Sequence, residues 1–233
     1  MTPLPDWYLD ELAHAGPEHL DTTYVPRYDQ KAATDPEEDL ALLQRHGLGP
    51  ADTLVDLGAG TGTFAVAAAA LCRRVVAVDV SRPMLAVLEE KLGRDDIANV
   101  EVVRAGFLSY QHQGAPADVV YSRHALHHLP DFWKVVALDR ITRMLRPGGI
   151  FLLRDLVYAI EPDEVGDVIE AWLGRATADP AAGWTRAELA THVREEFSPF
   201  SWLLEPMLER AGFRIEEAQS HGSTYATYVC ARR

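Results

Sequence analysis

The sequence predicts an α/β fold: one domain over all 233 residues, built on a mostly parallel sheet with helices on both faces. Three observations carry this reading. Leu54-Val55-Asp56-Leu57 leads into three alternate glycines, Gly58, Gly60 and Gly62, and then into an Ala-rich stretch from Phe64 to Leu71, which is strand, tight turn and helix. Val75-Val76-Ala77-Val78-Asp79-Val80 is nearly continuously apolar, as a strand buried on both faces must be. Val135, Leu138, Ile141 and Leu145 recur at helical spacing and run into Arg146-Pro147-Gly148-Gly149, which stops the helix before a further buried strand, Ile150 to Asp155.

Taken in order, residues 1–45 mix aromatic and acidic groups, with Trp7-Tyr8, Tyr24 and Tyr28 ahead of the acidic run Asp35-Pro36-Glu37-Glu38-Asp39. Asp35 can cap a helix at Pro36, where a missing N–H costs little, and Gly47 can stop it. The stretch reads as a helical preface to the first strand. Tyr24 and Tyr28 are four apart, so one helical face can hold both, either as surface-packing aromatics or as ligand contacts. Past the glycine turn, Asp79 closes the second strand. Ser81 caps the following helix, with Pro83 in its first turn and Met84 as core or as a ligand-facing residue. Val100 to Val103 makes the third strand and is followed by Arg104-Ala105-Gly106-Phe107-Leu108. Asp118 to Tyr121 makes the fourth, leading into Ser122-Arg123-His124-Ala125-Leu126-His127-His128-Leu129-Pro130, and Asp131 caps the helix through Leu145. Glu161 to Leu173 and part of Pro180 to Arg194 read as helices. There Trp172, Trp184 and Phe197 either line a pocket or pack an added cap. Phe200, Leu203, Leu204, Met207, Leu208 and Ala211 trace one apolar helical face that Gly212 ends. Phe213 onward and Tyr225 to Ala231 form a closing hairpin around Ser220-His221-Gly222-Ser223.

The glycine turn admits several ligands. A triphosphate loop needs Gly-Lys followed by Ser or Thr, and Gly62-Thr63 supplies no lysine. A dinucleotide fingerprint wants its third glycine where Thr63 stands. A ligand-free tight turn is disfavoured by the conformational cost of alternate glycines. An adenosine ligand without a pyrophosphate fits best. Asp79 can accept both ribose hydroxyls, a role that NAD would fill as well.

Val55-Asp56-Leu57-Gly58-Ala59-Gly60-Thr61-Gly62 resembles motif I of the class I S-adenosylmethionine-dependent methyltransferases, and the helix, Pro-Gly-Gly turn and strand through Asp155 repeat that family's pattern. The resemblance covers residues 54–155. It implies a Rossmann-like seven-stranded sheet in the order 3-2-1-4-5-7-6 with strand 7 antiparallel, an N-terminal helical lid over residues 1–45, a cap inserted at 156–198, and a terminal helix and hairpin at 199–233. The implied cofactor is S-adenosyl-L-methionine. Gly58, Ala59, Gly60 and Gly62 pass under its methionine and ribose portions, Asp56 orients its amino group, Asp79 meets the ribose, Val80 is a further cofactor contact, and Met84 packs over adenine. Tyr28 of the lid and Ser122 and Arg123 of the loop after the fourth strand complete the expected contacts. The sequence departs from the common family pattern at one point: no acidic residue lies between Glu101 and Asp118 to take the adenine amino group. Backbone around Gly106 and Phe107 is the expected substitute, with Phe107 adding apolar area.

The implied reaction is methyl transfer by direct displacement to a small molecule. His127 or His128 serves as base if the nucleophile must lose a proton; otherwise they cap the next helix, contact the cofactor through their backbone or pack under the lid. Two other classes stay open: a non-catalytic S-adenosylmethionine-binding regulator, and a nicotinamide-dependent oxidoreductase. A net charge of -13 argues against nucleic-acid or anionic-membrane partners. No metal is expected, because adjacent histidines offer no compact third ligand and Cys72 and Cys230 lack zinc spacing, reading instead as reduced core thiols. With no apolar leader or long apolar run, a cytoplasmic, soluble protein is expected. Nothing in the sequence indicates an oligomeric state.

Overall fold

Seven strands make one sheet in the order β3-β2-β1-β4-β5-β7-β6. They are β1 (Thr53–Leu57), β2 (Arg74–Asp79), β3 (Val100–Arg104), β4 (Ala117–Arg123), β5 (Leu145–Leu156), β6 (Phe213–His221) and β7 (Tyr225–Arg232). β1 to β5 pair in parallel, and β7 runs antiparallel to both β5 and β6. This is the predicted topology, seen in a computed structural model that describes residues 5–25, 28–32, 35–180 and 182–233.

Strand alternation sorts the core into two layers. Val55, Leu57, Val76, Val78 and Val120 face α5 (Asp131–Met144) and α8 (Ser201–Arg210), packing on Leu138, Ile141, Leu204 and Leu208. Leu54, Val75, Ala77, Val119 and Tyr121 face α2 (Glu37–Arg45), α3 (Thr63–Ala68) and α4 (Arg82–Arg94), packing on Leu43, Phe64, Ala65 and Leu88. Phe64 stacks on Tyr121 with ring centroids 3.5 Å apart. Because both faces are covered, β1 has no exposed residue, and the parallel strands read as apolar runs.

Local signals set most boundaries. Ser81 caps α4 by accepting the Met84 N–H, with Pro83 in the first turn. Asp35 accepts the Glu37 N–H at 2.9 Å, while Pro36 takes the cap position of α2. Two expectations shift. Asp131 is the first residue of α5 and Pro130 its cap, so the Asp131 side chain is free to pair with Lys134 instead. β5 begins at Leu145, before the Pro-Gly-Gly turn, because Leu145 already pairs with Ala117 and a register shift between Ala117 and Val119 absorbs the extra residues.

Residues 5–25 form short 3-10 turns, not long helices, and lie over the C-terminal ends of the parallel strands. Tyr8 donates to the Leu108 carbonyl, Trp7 and Tyr8 pack on Trp133, and Ser81 donates to the His19 carbonyl. Tyr24 sits in a turn and Tyr28 opens α1 (Tyr28–Ala32), so the two do not share a helix, though their rings lie 6.5 Å apart. Beyond β5, α6 (Val165–Leu173) and α7 (Arg186–Glu195) pack through Trp172, Leu173 and Leu189 onto Leu156 as a separate small core. Among the described residues no helix is long and apolar enough to cross a membrane.

Candidate active site

The glycine turn is tied to the neighbouring strand end. Gly58 and Ala59 N–H groups donate to the Val78 carbonyl, and the Gly60 N–H donates to Asp79 Oδ2 at 2.8 Å. Asp79 Oδ1 accepts the Ser81 N–H at 2.7 Å, so one carboxylate holds both the turn and the start of α4. Burial raises the Asp79 pKa against these backbone donors. Gly58 and Gly60 adopt positive φ, 78° and 54°, which favours glycine at both. A Cβ on Gly58 would meet that of Ala125 at 2.3 Å, whereas one on Gly60 would meet no protein atom within 4 Å and would project toward the cavity.

That cavity, of about 100 Å³, is lined by Gly58, Gly60, Asp79, Val80, Met84, Gly106, Phe107 and Arg123 from the expected set, together with Tyr28 and His128. A smaller space on the other side of the turn is bounded by Tyr28, Asp56, Gly58, Ala59 and Gly60. Two expected residues do not line either space. Gly62 caps α3 at φ 77°, and its missing Cβ makes room for the Leu88 side chain, 2.1 Å from where that Cβ would stand. Ser122 is wholly buried in β4, and its hydroxyl has no partner among the described residues. Arg123 reaches the cavity wall, but its guanidinium is engaged by Asp39 of α2 at 3.1 Å.

Two further carboxylates stand beside these spaces, Glu11 at the larger and Asp56 at the smaller. Asp56 is 1% exposed, its Oδ2 has no partner among the described residues, and burial followed by the neighbouring Asp79 pushes its pKa well up. A buried acceptor without a donor is costly unless a ligand supplies one, and the ammonium of an amino-acid moiety has the right charge. At the far end, Glu11 enters from the N-terminal segment. It accepts the Leu108 N–H at 2.9 Å and the Ser109 hydroxyl at 2.8 Å, in space that a side chain at Gly106 would fill. The acid absent from the stretch after β3 is thus present in space, delivered from 97 residues away. Its only sequence signal was an unremarkable acidic pair, Asp10-Glu11. These features suit S-adenosylmethionine: a buried, unpartnered carboxyl at Asp56 that an ammonium would pair with, a fixed carboxyl group at Asp79, and apolar Met84 and Phe107 walls.

Tyr28 is brought over the cavity by its neighbour. Asp29 accepts from Thr61 in the glycine turn and pairs with Lys91 of α4 at 2.6 Å. Burial lifts the Tyr28 phenol to about 12.

The two histidines separate. His128 lines the cofactor-side cavity and two outer ones, of about 330 Å³ and 200 Å³. Burial and then His127 hold its pKa well below the usual imidazole range, so it is neutral. His127 is 3% exposed and faces the 200 Å³ cavity, its Nδ1 lying 2.5 Å from Asp155 Oδ1 and its Nε2 3.1 Å from Glu196 Oε2. Burial works against its charge, but Asp155 and Glu196 override it and lift the pKa to about 9. Glu196 also lies 2.5 Å from His192 Nδ1. His124, at φ 50° and held down to about 3 by burial, and His19, 5.7 Å from the His128 ring, complete a histidine-lined passage that sequence reasoning did not assemble. Trp172 and Trp184 line the 200 Å³ cavity while packing the cap, and Phe197 lines the 330 Å³ cavity.

A family model described as a methyltransferase domain matches residues 54–149. Phosphoethanolamine N-methyltransferase 2 of Caenorhabditis elegans is 33% identical over 119 residues, spanning 50% of this chain and only 27% of that protein. The 27-O-demethylrifamycin SV methyltransferase of Amycolatopsis mediterranei is 28% identical over 92% of this chain and 85% of its own length. Among solved structures, Haemonchus contortus phosphoethanolamine N-methyltransferase 2 in complex with S-adenosyl-L-methionine superposes with a TM-score of 0.71 at 18% identity, covering 99% of this chain and 61% of that one, a likeness of fold. The glycine turn, the sheet order and these relatives agree in supporting a class I S-adenosylmethionine-dependent methyltransferase, the family whose cofactor is S-adenosylmethionine.

Proposed function

We propose that the protein methylates a small molecule by direct displacement, with S-adenosylmethionine supplying an electrophilic methyl group and S-adenosylhomocysteine released. One observation carries the small-molecule reading: His128 lines the cofactor-side cavity and also two outer cavities, of about 330 Å³ and 200 Å³, walled by the N-terminal segment and the cap. Such pockets suit a compact acceptor better than a polymer. The names of the nematode and Amycolatopsis relatives point to small-molecule acceptors as well. The net charge of -13 further disfavours a polyanionic substrate.

In this reading Asp56 and Asp79 bind and orient the cofactor, Glu11 and Phe107 close its far end, and the N-terminal segment excludes water. Holding the reactants in line accounts for much of the acceleration of such a transfer. His128 is uncharged and can donate or accept one hydrogen bond to the acceptor where the three cavities share its side chain. His127 is held between carboxylates and serves the acceptor side.

The test is methyl transfer from labelled S-adenosylmethionine to small-molecule extracts, peptides and nucleic acids. Label in small molecules supports the reading, and label in nucleic acid alone refutes it. Exchange of His128 for Ala should then lower kcat by about tenfold or more while S-adenosylhomocysteine affinity changes little. Loss of cofactor binding with unchanged kcat would instead place His128 in the cofactor site.

A further inference from the structure

We propose that His127, His192 and Glu196 form a binding site for a divalent transition-metal ion on the acceptor side of the cavity. Each residue presents one ligand atom, and these atoms lie within 4.8 Å of one another. Ligands at about 2.0–2.2 Å from a common ion come together within that spread after small side-chain rotations. Two imidazoles and one carboxylate are the donor set of zinc and related borderline ions, and a hard ion such as calcium would want more oxygens.

Four features of the surroundings argue for a metal instead of a simple ion pair. First, His127 Nδ1 is taken by Asp155, which also accepts the His127 N–H at 3.1 Å and the Leu156 N–H at 2.8 Å. That leaves Nε2, which faces Glu196, as the nitrogen that coordinates once the metal displaces its proton, oriented by an outer carboxylate as metal-bound histidines usually are. Second, Glu196 Oε2 and His192 Nδ1 are buried and close to their neighbours, at 3.1 Å and 2.5 Å, yet neither makes a hydrogen bond among the described residues. Buried polar atoms that converge without hydrogen-bond geometry call for another partner. Third, the ligands are held in place from outside. His192 and Glu196 are one turn apart at the end of α7, whose start is fixed by the Thr185 and Glu188 capping box. The next residue, Phe197, donates its N–H to the His127 carbonyl at 3.0 Å and accepts from the buried Lys134. Fourth, the site is open on one side, since His192 and Glu196 both line the 330 Å³ cavity next to His128. Three protein ligands and an open position are the arrangement of a catalytic ion, not of a closed structural one.

Nearby Glu195, Glu188 and Glu18 line the same cavity and add negative potential for a dication. The ion's role rests on the methyltransferase reading: it orients and polarises an oxygen-bearing acceptor beside His128. Its binding does not depend on that reading.

The experiment is a calorimetric titration of zinc chloride into tag-free, chelator-treated protein with no cofactor present, followed by cobalt substitution to read the ligand field. Wild type should take up one equivalent, and the cobalt form should show imidazole coordination. Glu196→Gln and His192→Ala, each verified as folded by circular dichroism, should bind at least about tenfold more weakly. His46→Ala, which alters a surface histidine paired with Glu217, should bind as wild type does. If one of the two site variants fails to fold, the other decides. Equal zinc binding by wild type and a folded site variant would show adventitious histidine binding and overturn the site, as would no uptake by wild type. Neither result bears on methyl transfer, which the labelled-cofactor assay reads separately.

Discussion

Asp79 illustrates how one side chain serves fold and ligand together. Its oxygens hold the Gly60 and Ser81 N–H groups, and the residue lines the cavity. Exchange for Ala should weaken S-adenosylhomocysteine binding by about tenfold or more, since a hydrogen bond to a charged group contributes about 1.5–3 kcal/mol. Unchanged affinity in the folded variant would remove its assigned role. Gly60→Ala separates strain from occlusion: no protein atom obstructs the methyl group, and the positive φ costs stability about 1–2 kcal/mol, so a larger loss of affinity reads ligand contact directly. Asp56 has the opposite balance. Its pKa is raised by burial and by Asp79, so its favourable contribution is the neutral form, present below the unfolded pKa and lost as pH rises through the folded one. Above that pH the buried charge destabilises the ligand-free protein. Asp56→Asn should therefore raise the melting temperature of the apoprotein at neutral pH while weakening cofactor binding. In wild type, affinity should fall as acid protonates Asp56, a slope that calorimetry across pH should find missing in the variant.

At the scale of elements, the loop after β4 and the end of α7 are bound together by Lys134 of α5. This buried ammonium donates to the Leu129 carbonyl at 2.6 Å, to Asp131 at 2.9 Å, and to the Phe197 carbonyl. Burial pulls its pKa down, but Asp131 opposes the shift and keeps the charge supported. Removing the ammonium leaves the Leu129 and Phe197 carbonyls without their donor, so Lys134→Ala should cost about 1–3 kcal/mol in urea denaturation. Because the strap sets the position of Phe197, and with it Glu196, the same variant should lose methyl transfer beyond what its stability explains. Full activity in a destabilised Lys134→Ala protein would show that the cap and the histidine loop work independently. The N-terminal segment is fastened at a different place, through Tyr8 and Glu11 to Leu108 after β3 and through His19 to Ser81 at the start of α4, and its residues 13–19 also line the outer cavities.

For the whole molecule, an antiparallel β7 inserted between β5 and β6 completes a sheet whose C-terminal strand ends carry the site, as expected for an open α/β fold. The acidic surface gives a global prediction: at about 50 mM salt, where electrostatic attraction to polyanions is strong, the protein should not be retained on immobilised DNA. Retention that weakens with added salt would mean that a basic patch overcomes the net charge of -13.

The sequence by itself determined the parallel core, the glycine turn, Asp79 at the end of β2 and the closing hairpin. Each is a short-range pattern: strands buried on both faces must be apolar throughout, and a turn that needs positive φ favours glycine. Tertiary structure alone decided what reaches the turn. Glu11 fills the place of the missing acid from 97 residues away, through a segment with no periodicity to reveal it. Gly62 looks like its neighbours in the motif, but is claimed by the Leu88 side chain from α4, which sequence spacing cannot show. His127 and His128 are adjacent in sequence, yet one is locked to Asp155 and Glu196 and the other opens onto three cavities, because neighbouring residues on a tight 3-10 turn point to different surroundings. The other two groups of the His127 cluster, His192 and Glu196, come from the cap, whose helices the sequence indicated but whose docking depends on long-range packing of Trp172, Leu173 and Leu189 against Leu156.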